Sequence, residues 1–477
     1  MNTEFLLIVV SRALVALSYL FATRIYFSVL SLGEVGVLNY FLSIMQLCTM
    51  FGVYPAGSYY QSVFVKSVKD GVIKRESAKY IMILIILGIL VSSTVCLGKA
   101  VGLVSIKWDY SFLFILTLFF QIGLPMRETF LGCLNILLLR RMYIITNLFT
   151  SYVTILVGLI FVTRFPTSLS WLAATGLAHL VFGFGLIFYI VAKYDNPEAR
   201  LPTGKSGSLK FITALVFVSL GMWMVTDLGK IVLDRFGGPN GKDTLGLFSI
   251  VMTTGGALVT TVEKIFTDLF GPRIFNTAVD DRDQLSHVSG MYLKRMFSAL
   301  TIANSFTFLA APLLIYVVAG DKYKSLGLWI VLGALFRSGI VVLSACQLIA
   351  QAFNRPGLFV RYFFLGGGFS AVCVGVGFWL GGVLCAVTVS AISIILLSFI
   401  SVKTLASCGA VKFCKHDKVH YIKSDVVPLI CLIIASVIFN FFHSPFLVLI
   451  IFSGILLAFG ERLVNVFKRF SSWFVGI

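Results

Sequence analysis

The sequence predicts an all-α integral membrane protein with about 14 transmembrane helices, and three features of the chain support this fold class. Hydrophobic residues make up 58% of the 477 residues and charged residues only 12%, and the mean hydropathy is +0.98. Such a chain is far more apolar than a soluble globular protein. Long apolar runs alternate with short polar connections, and basic residues collect in every second connection, as in polytopic membrane proteins.

The predicted spans follow from the thickness of the bilayer. Its hydrocarbon core of about 30 Å requires roughly 20 apolar residues in an α-helix. The segments that meet this requirement are residues 6–30, 36–64, 80–104, 111–138, 143–163, 170–192, 211–235, 245–271, 296–319, 325–352, 358–380, 383–402, 426–442 and 446–463.

The distribution of Lys and Arg predicts the orientation, because these residues are retained on the cytoplasmic side. With both termini cytoplasmic, most of the 38 Lys and Arg residues fall in cytoplasmic connections such as 65–79, 193–210 and 403–425. The opposite connections hold Lys99, Lys107, Arg164, Arg235, Lys242, Lys322 and Lys324. Topology therefore explains most of the net charge of +18, and we expect no nucleic-acid partner.

A sequence pattern that occurs twice divides the chain into two parts. The first span leads through "LSLGEVGVLNYFLS" into the second, and the seventh leads through "FGGPNGKDTLGLFSIVM" into the eighth. Aligning Gly36 with Gly246 places Arg24 opposite Lys230. Six spans separate the two units, which predicts two six-helix lobes related by a pseudo-twofold axis along the membrane normal, plus a C-terminal helix pair. The predicted units are an N-terminal lobe at 1–195, a cytoplasmic linker at 196–210, a C-terminal lobe at 211–405, and a cytoplasmic loop with the last two helices at 406–477.

The two copies of this pattern also resemble a known family. A first helix with buried arginines precedes "SLGEVGVLNYFLSIMQLCTMFG", and "TDLGKIVLDRFGG" precedes "LGLFSIVMTTGGAL". This arrangement resembles the O-antigen and lipid-linked oligosaccharide flippases of the multidrug, oligosaccharidyl-lipid and polysaccharide exporter superfamily. The resemblance implies two six-helix lobes with an extra C-terminal pair, as in the related lipid II flippases.

The resemblance also implies a function. Such flippases carry undecaprenyl-diphosphate-linked oligosaccharides across the bacterial inner membrane by alternating access, so we expect a transporter and not an enzyme, with no cofactor. The implied partners are the lipid bilayer, a lipid-linked anionic oligosaccharide, a coupling proton or sodium ion, a polysaccharide polymerase and a chain-length regulator.

Two alternatives to the flippase stay open. One is an ion-coupled exporter of drugs or other small molecules from the same superfamily, which the excess of buried bases disfavours. The other is a polysaccharide polymerase or glycosyltransferase, which the short outer connections disfavour because they hold no catalytic domain.

Six basic residues lie inside predicted spans, where a charge costs roughly 2.5–3.5 kcal/mol and usually faces water or the bundle interior. They are Arg12, Arg24, Arg127, Lys230, Lys264 and Arg337. We predict that five of them line a cavity and bind the diphosphate or acidic sugar of the cargo, since arginine stays charged and offers paired hydrogen bonds to phosphate. These five are Arg24, Lys230, Arg337, Arg12 and Arg127.

Neighbouring residues refine this prediction. Tyr19, Thr23 and Tyr26 share a helical face with Arg12, which predicts that this face is hydrated. Arg337 has no acidic residue within four positions. We therefore expect its partner to come from another helix or from a ligand.

Some of these basic residues could be accommodated in a span without contacting a cargo. Arg12 could reach the membrane surface along its aliphatic stem. Lys230 could pair with Asp227 or Asp234 at helical spacing, and Arg127 could pair with its neighbour Glu128.

Buried acids complete the candidate site. Asp227, Glu263 and Glu128 could balance the charge of the empty cavity or bind a coupling proton or sodium ion, and the sequence leaves both roles open. No metal site is expected, because the spacing of Cys408, Cys414, His416 and His420 matches no common zinc pattern.

Overall fold

Helices form all the regular secondary structure of the residues that the structure describes. This computed structural model describes residues 3–137, 139–195, 209–280, 282–327, 329–353 and 355–412. Its α-helices are α1 (Thr3–Val29), α2 (Leu32–Cys48), α3 (Tyr54–Lys69), α4 (Ile73–Ala100), α5 (Tyr110–Ile136), α6 (Arg140–Arg164), α7 (Ser168–Tyr194), α8 (Leu209–Thr226), α9 (Leu228–Phe236), α10 (Gly241–Asp280), α11 (Arg282–Val318), α12 (Trp329–Ala352) and α13 (Val360–Ser407). We call α1 to α7 the first half and α8 to α13 the second half.

The all-helical membrane fold predicted from composition is confirmed. Within the described ranges, ten helical segments are long and apolar enough to cross a membrane, and α8 with α9 adds a bent eleventh. The longest segment, Pro356–Ser407, holds predicted spans eleven and twelve. The last two predicted spans, most of the predicted linker and the loop beyond residue 412 lie outside the described residues.

Helix α13 breaks where the sequence places a boundary between two spans. Gly381 and Gly382 leave the helical conformation inside this helix. Gly382 has φ +67° and ψ −154°, a backbone conformation that is essentially restricted to glycine. The break separates the two predicted spans at residues 380–383.

Two other spans are interrupted. The second changes from α2 into α3 through a π-helical turn at Thr49–Val53, just before Pro55, which lacks the backbone donor that a regular helix needs. The seventh predicted span, 211–235, is bent: α8 and α9 together are long and apolar enough to cross a membrane but meet at 42°. The residue at the bend is Asp227, with φ −126° and ψ −21°.

The start of α2 is fixed by capping bonds that also reach α7. The Ser31 hydroxyl accepts a hydrogen bond from the Glu34 amide at 3.2 Å. The Glu34 carboxylate in turn accepts a bond from the Ser168 amide at 2.6 Å. A carboxylate is favourable at helix N-termini, so this acid joins the first turns of α2 and α7.

Helices α2 and α10 cross so closely that each needs a glycine at the contact. A Cβ atom on Gly36 would overlap the backbone carbonyl of Lys242, and a Cβ atom on Gly246 would overlap the carbonyl of Leu32. The two contacts are reciprocal, because Leu32 precedes Gly36 by the same four positions that separate Lys242 from Gly246. A two-fold relation between two contacting helices produces this reciprocity.

The hydrophobic cores show that the halves meet at one end and separate at the other. One cluster contains residues of both halves, including Phe27, Leu38, Phe248 and Ile315. It lies where α1 ends and α2 begins, which we call the turn end. At the other end, where α1 begins, the first half and the second half have separate clusters. The molecule is therefore a wedge: the halves share one core at the turn end, whereas at the N-terminal end each half has its own core and the two make local contacts, such as Leu269 of α10 against the first-half cluster.

Polar contacts reinforce the closed turn end. The Lys242 ammonium lies 2.9 Å from the Asp234 carboxylate and donates to the Ser105 hydroxyl at 2.9 Å. It also lies 3.4 Å from the centre of the Tyr40 ring. Ser105 and Tyr40 belong to the first half, so these contacts join the two halves.

We expect Gly36→Ala to weaken the crossing of α2 and α10, since an added methyl group meets backbone and the helices must separate. Overpacking of this kind typically costs about 1–3 kcal/mol. Thermal unfolding in detergent measures the effect. The matched control is Gly185→Ala, because a Cβ atom at this helical position meets no atom within 4 Å. Equal melting temperatures for the two variants would contradict the close approach.

Candidate functional site

A cavity of about 960 Å³ lies between the two halves, on the N-terminal side of the α2 and α10 crossing. Helices α1, α2, α5, α8, α10 and α12 supply most of its lining. Five of its lining residues are basic and three are acidic. Arg12, Tyr19, Thr23 and Tyr26, which share the predicted polar face of α1, all line the cavity.

Arg12 joins α1 to the other half of the molecule. Its guanidinium lies 2.6 Å from the Asp268 carboxylate of α10. It also donates to the hydroxyl of Tyr143, which in turn donates to Asp268 at 3.1 Å. Arg12 is 13% exposed and Asp268 11%, so the pair is partly buried between the halves and the guanidinium is engaged inside the protein.

Lys230 pairs with Asp227, one of the two local acids that the spacing suggested. Their charged atoms are 2.6 Å apart. The Asp227 carboxylate also accepts from the Thr226 hydroxyl at 2.6 Å and from the Ser43 hydroxyl of α2 at 3.2 Å. These bonds hold the carboxylate at the bend between α8 and α9, where its side chain competes with regular helix geometry.

Arg337 finds its partner on another helix, as its sequence surroundings predicted. The guanidinium donates to Glu263 of α10 at 2.6 Å, and both side chains line the cavity. The Arg337 Nε atom is buried and makes no hydrogen bond to any described residue. One donor of this side chain is therefore unsatisfied beside the cavity.

Arg127 is buried without a carboxylate partner among the described residues. It donates to the Thr150 hydroxyl at 3.2 Å and to the Ser151 hydroxyl at 2.9 Å. Its third contact is the Nδ1 atom of His179, at 3.3 Å. The suggested pair with Glu128 does not form, because consecutive helical residues point in different directions. The three neutral groups leave the positive charge of Arg127 uncompensated.

Two charged residues of the cavity are free. Glu128 on α5 and Lys264 on α10 are both exposed and line the cavity. Neither side chain has a hydrogen bond or ion pair with any residue in the described ranges. They belong to opposite halves and carry opposite charges.

Arg24 lies outside the cavity lining, contrary to the prediction that it lines this space opposite Lys230. Its guanidinium donates to the backbone carbonyl of Tyr316 at 3.1 Å, in the last turn of α11. The reason is the helix period: twelve residues turn an α-helix by about 120° beyond whole turns, so Arg24 and Arg12 occupy different faces of α1. Arg24 therefore satisfies a helix C-terminus, where a cation is favourable.

The sequence reasoning missed several polar residues of the site. Tyr143 and Asp268, which were not among the candidate site residues, bind Arg12 and join the two halves. Five amide side chains also line the cavity: Asn39, Gln46, Asn147, Gln347 and Gln351. The sequence could have indicated these amides, because they lie inside apolar runs. Burying an amide side chain costs free energy unless it has a hydrogen-bond partner or water.

The fold is similar to that of known transporters. A MATE transporter in its straight conformation matches with a TM-score of 0.59 at 14% identity, over 85% of this chain and 96% of that protein. A variant of the Vibrio cholerae MATE transporter VcmN matches with a TM-score of 0.59 at 13% identity, over 85% of this chain and 96% of that protein.

An inward-facing multidrug resistance MATE family transporter of the MOP superfamily is also similar, with a TM-score of 0.55, 14% identity, and coverage of 84% of this chain and 98% of that protein. No protein-family profile matches the sequence, and no curated protein matches it. At these identities the likeness establishes the fold. The chain is a multi-pass membrane protein with the fold of the MATE transporters.

The position of Arg24 predicts a small structural role. Arg24→Ala should lower the free energy of unfolding by about 0.3–1 kcal/mol, the usual value of a cation at a helix C-terminus, and Arg24→Lys should retain part of this stability. Thermal unfolding in detergent at low salt measures both. Lys107→Ala serves as the control at an exposed position of the same end. A stability unchanged by Arg24→Ala would contradict the capping role.

Proposed function

We propose that the protein is a membrane exporter that moves an amphipathic anion by alternating access, with an undecaprenyl-diphosphate-linked oligosaccharide as cargo. The excess of basic over acidic residues in the cavity lining carries this proposal. A diphosphate crossing a low-dielectric membrane needs cations along its path. Lys230, Arg337, Arg12 and Arg127 are the proposed substrate-binding residues, and Lys264 joins them in place of Arg24.

The ion pairs that some of these basic residues already form suggest the order in which the residues contact the cargo. Arg12, Lys230 and Arg337 already have carboxylate partners, and binding an anion to them means weakening an ion pair. Lys264 is free and exposed to the cavity. We therefore assign Lys264 as the first contact of the cargo phosphate, followed by the uncompensated charge of Arg127 deeper in the first half.

The uncharged lining suits a saccharide. Aromatic rings such as Tyr26 and Trp171, whose centres are 5.4 Å apart, present flat apolar faces beside amides such as Gln46 and Gln351. Amides both donate and accept hydrogen bonds, as sugar hydroxyl groups do. This combination favours a glycosylated cargo over a purely apolar one.

The wedge shape supports alternating access. The halves share one core cluster at the turn end and have separate clusters at the N-terminal end. We propose that residues 1–195 and 211–405 form the two lobes, and that they rock about the α2 and α10 crossing. In this proposal the N-terminal end is cytoplasmic, in the bacterial inner membrane, and the described state is open to the cytoplasm.

Asp227, Glu263 and Glu128 are the proposed charge-balancing or coupling residues. The first two are neutralised by Lys230 and Arg337, so Glu128 is the carboxylate available to a proton or sodium ion. A polysaccharide polymerase and a chain-length regulator are the proposed partners, because they would use the transported units.

An exporter of drugs or other small molecules is the second candidate. The fold likeness favours it, since one of the similar structures is named as a multidrug resistance transporter. A cationic drug would be attracted to the free carboxylate of Glu128. The two functions therefore depend on opposite charges of the same cavity.

Binding measurements separate the two candidates. Lys264→Ala should weaken binding of undecaprenyl diphosphate in detergent about tenfold or more, because a charge-assisted hydrogen bond contributes about 1.5–3 kcal/mol. Lys264→Arg should retain most of the affinity. Glu128→Gln should leave it unchanged or raise it. If Glu128→Gln abolishes binding of a cationic dye while Lys264→Ala leaves undecaprenyl diphosphate binding intact, the drug exporter is the better description.

The proposed orientation is tested by thiol labelling of intact cells. Cysteine substituted for Lys107, exposed at the turn end, should react with a membrane-impermeant maleimide added outside. Cysteine substituted for Lys74, exposed at the N-terminal end, should react only after the cells are opened. The reverse pattern would place the N-terminal end outside and reject the orientation.

A further inference from the structure

The free charges Glu128 and Lys264 occupy comparable positions near the N-terminal end of the cavity. Lys264 lies one helical turn before Asp268 on α10, and Asp268 holds Arg12. The Glu128 carboxylate is close enough to Arg12 and Tyr143 to interact electrostatically with both. The two free charges therefore flank the same Arg12, Tyr143 and Asp268 contact, one from each half.

Free charges are tolerated here because the cavity is open. Both side chains are exposed, so water can hydrate them. An unpaired charge that loses its water is strongly destabilising, whereas a well-formed pair of opposite charges compensates much of this penalty. Any state in which the N-terminal end closes and expels this water must therefore pair or neutralise both groups.

Neighbouring charges limit the available partners. Arg12 and Asp268 are engaged with each other, Glu263 is engaged with Arg337, and Arg127 is held by neutral groups in the first half. The carboxylate of one half and the ammonium of the other are the remaining opposite charges in this part of the cavity lining. Approach of α5 and α10 would bring them together.

We propose that Glu128 and Lys264 form an ion pair across the two halves when the N-terminal end closes, and so act as a latch of the closed state beside the Arg12 and Asp268 contact seen in the described state. The latch rests on the proposed alternating access but not on the identity of the cargo. An anionic cargo bound to Lys264 withholds the ammonium from Glu128. While the anionic group of the cargo is bound to Lys264, the Glu128 and Lys264 pair cannot form. The pair can form once this anionic group has moved deeper into the cavity.

Charge reversal tests the pair in transport. Glu128→Lys and Lys264→Glu should each reduce export of surface polysaccharide about tenfold or more. The double reversal restores opposite charges and should export several-fold more than Lys264→Glu alone, although the cargo contact of Lys264 stays lost. Membrane abundance of each variant is measured alongside. The matched control is reversal of Glu76 and Lys79, an exposed ion pair at the same end with 2.5 Å between its charged atoms, for which single and double variants should transport normally.

Disulfide trapping tests the latch without reference to any cargo. In a variant lacking the native cysteines, Glu128→Cys with Lys264→Cys should cross-link on oxidation. The cross-link should protect a third cysteine, substituted for Thr260 in the cavity lining, from a maleimide supplied at the N-terminal end. Reduction should restore labelling.

The outcomes are distinct. Cross-linking with protection supports the latch even if the cargo proves to be a small molecule, and recovery in the double reversal supports it for the transport of polysaccharide. A cross-link that leaves the Thr260→Cys position reactive overturns it, because the two residues then meet without closure. Failure to cross-link together with no recovery in the double reversal also overturns it, and leaves Glu128 as an ion site independent of Lys264.

Discussion

The close crossing of α2 and α10 is the contact on which the rest of the structure depends. Gly36 and Gly246 let each helix approach the backbone of the other, and the mixed hydrophobic cluster forms around this point. The halves share a core only around this crossing, and towards the N-terminal end their surfaces enclose the cavity and meet again at the Arg12 and Asp268 pair. A side chain at either glycine would meet the backbone of the opposing helix and force the two helices apart at the crossing.

The charges of the cavity divide into structural and available groups. Three ion pairs, each with charged atoms 2.6 Å apart, neutralise Arg12, Lys230 and Arg337. Such pairs hold helices in register, although the cost of removing them from water offsets much of their attraction. Arg127, Glu128 and Lys264 have no such compensation in the described residues. A cavity that keeps some charges uncompensated is suited to binding a charged ligand, since the ligand supplies what the protein lacks.

The fold of this protein does not by itself determine its cargo. The MATE likeness covers most of the chain at 14% identity, which establishes the architecture while leaving the ligand to the side chains of the cavity. These side chains combine a basic excess with aromatic rings and amides. This chemistry is the basis for proposing an anionic, glycosylated cargo, whereas the fold likeness favours the small-molecule exporter.

The sequence by itself determined that the chain spans a membrane, the approximate positions of its spans up to residue 402, and the break at Gly381 and Gly382, because transfer of apolar residues into lipid and the special backbone of glycine are local properties. It also identified the face of α1 around Arg12 that lines the cavity, since helical period alone places residues on a face. Only the tertiary structure decided the partners: Arg12 with Asp268, Arg337 with Glu263, and Arg24 with the end of α11. The direction in which a long charged side chain points depends on the helix packed beside it, and that neighbour lies far away in sequence.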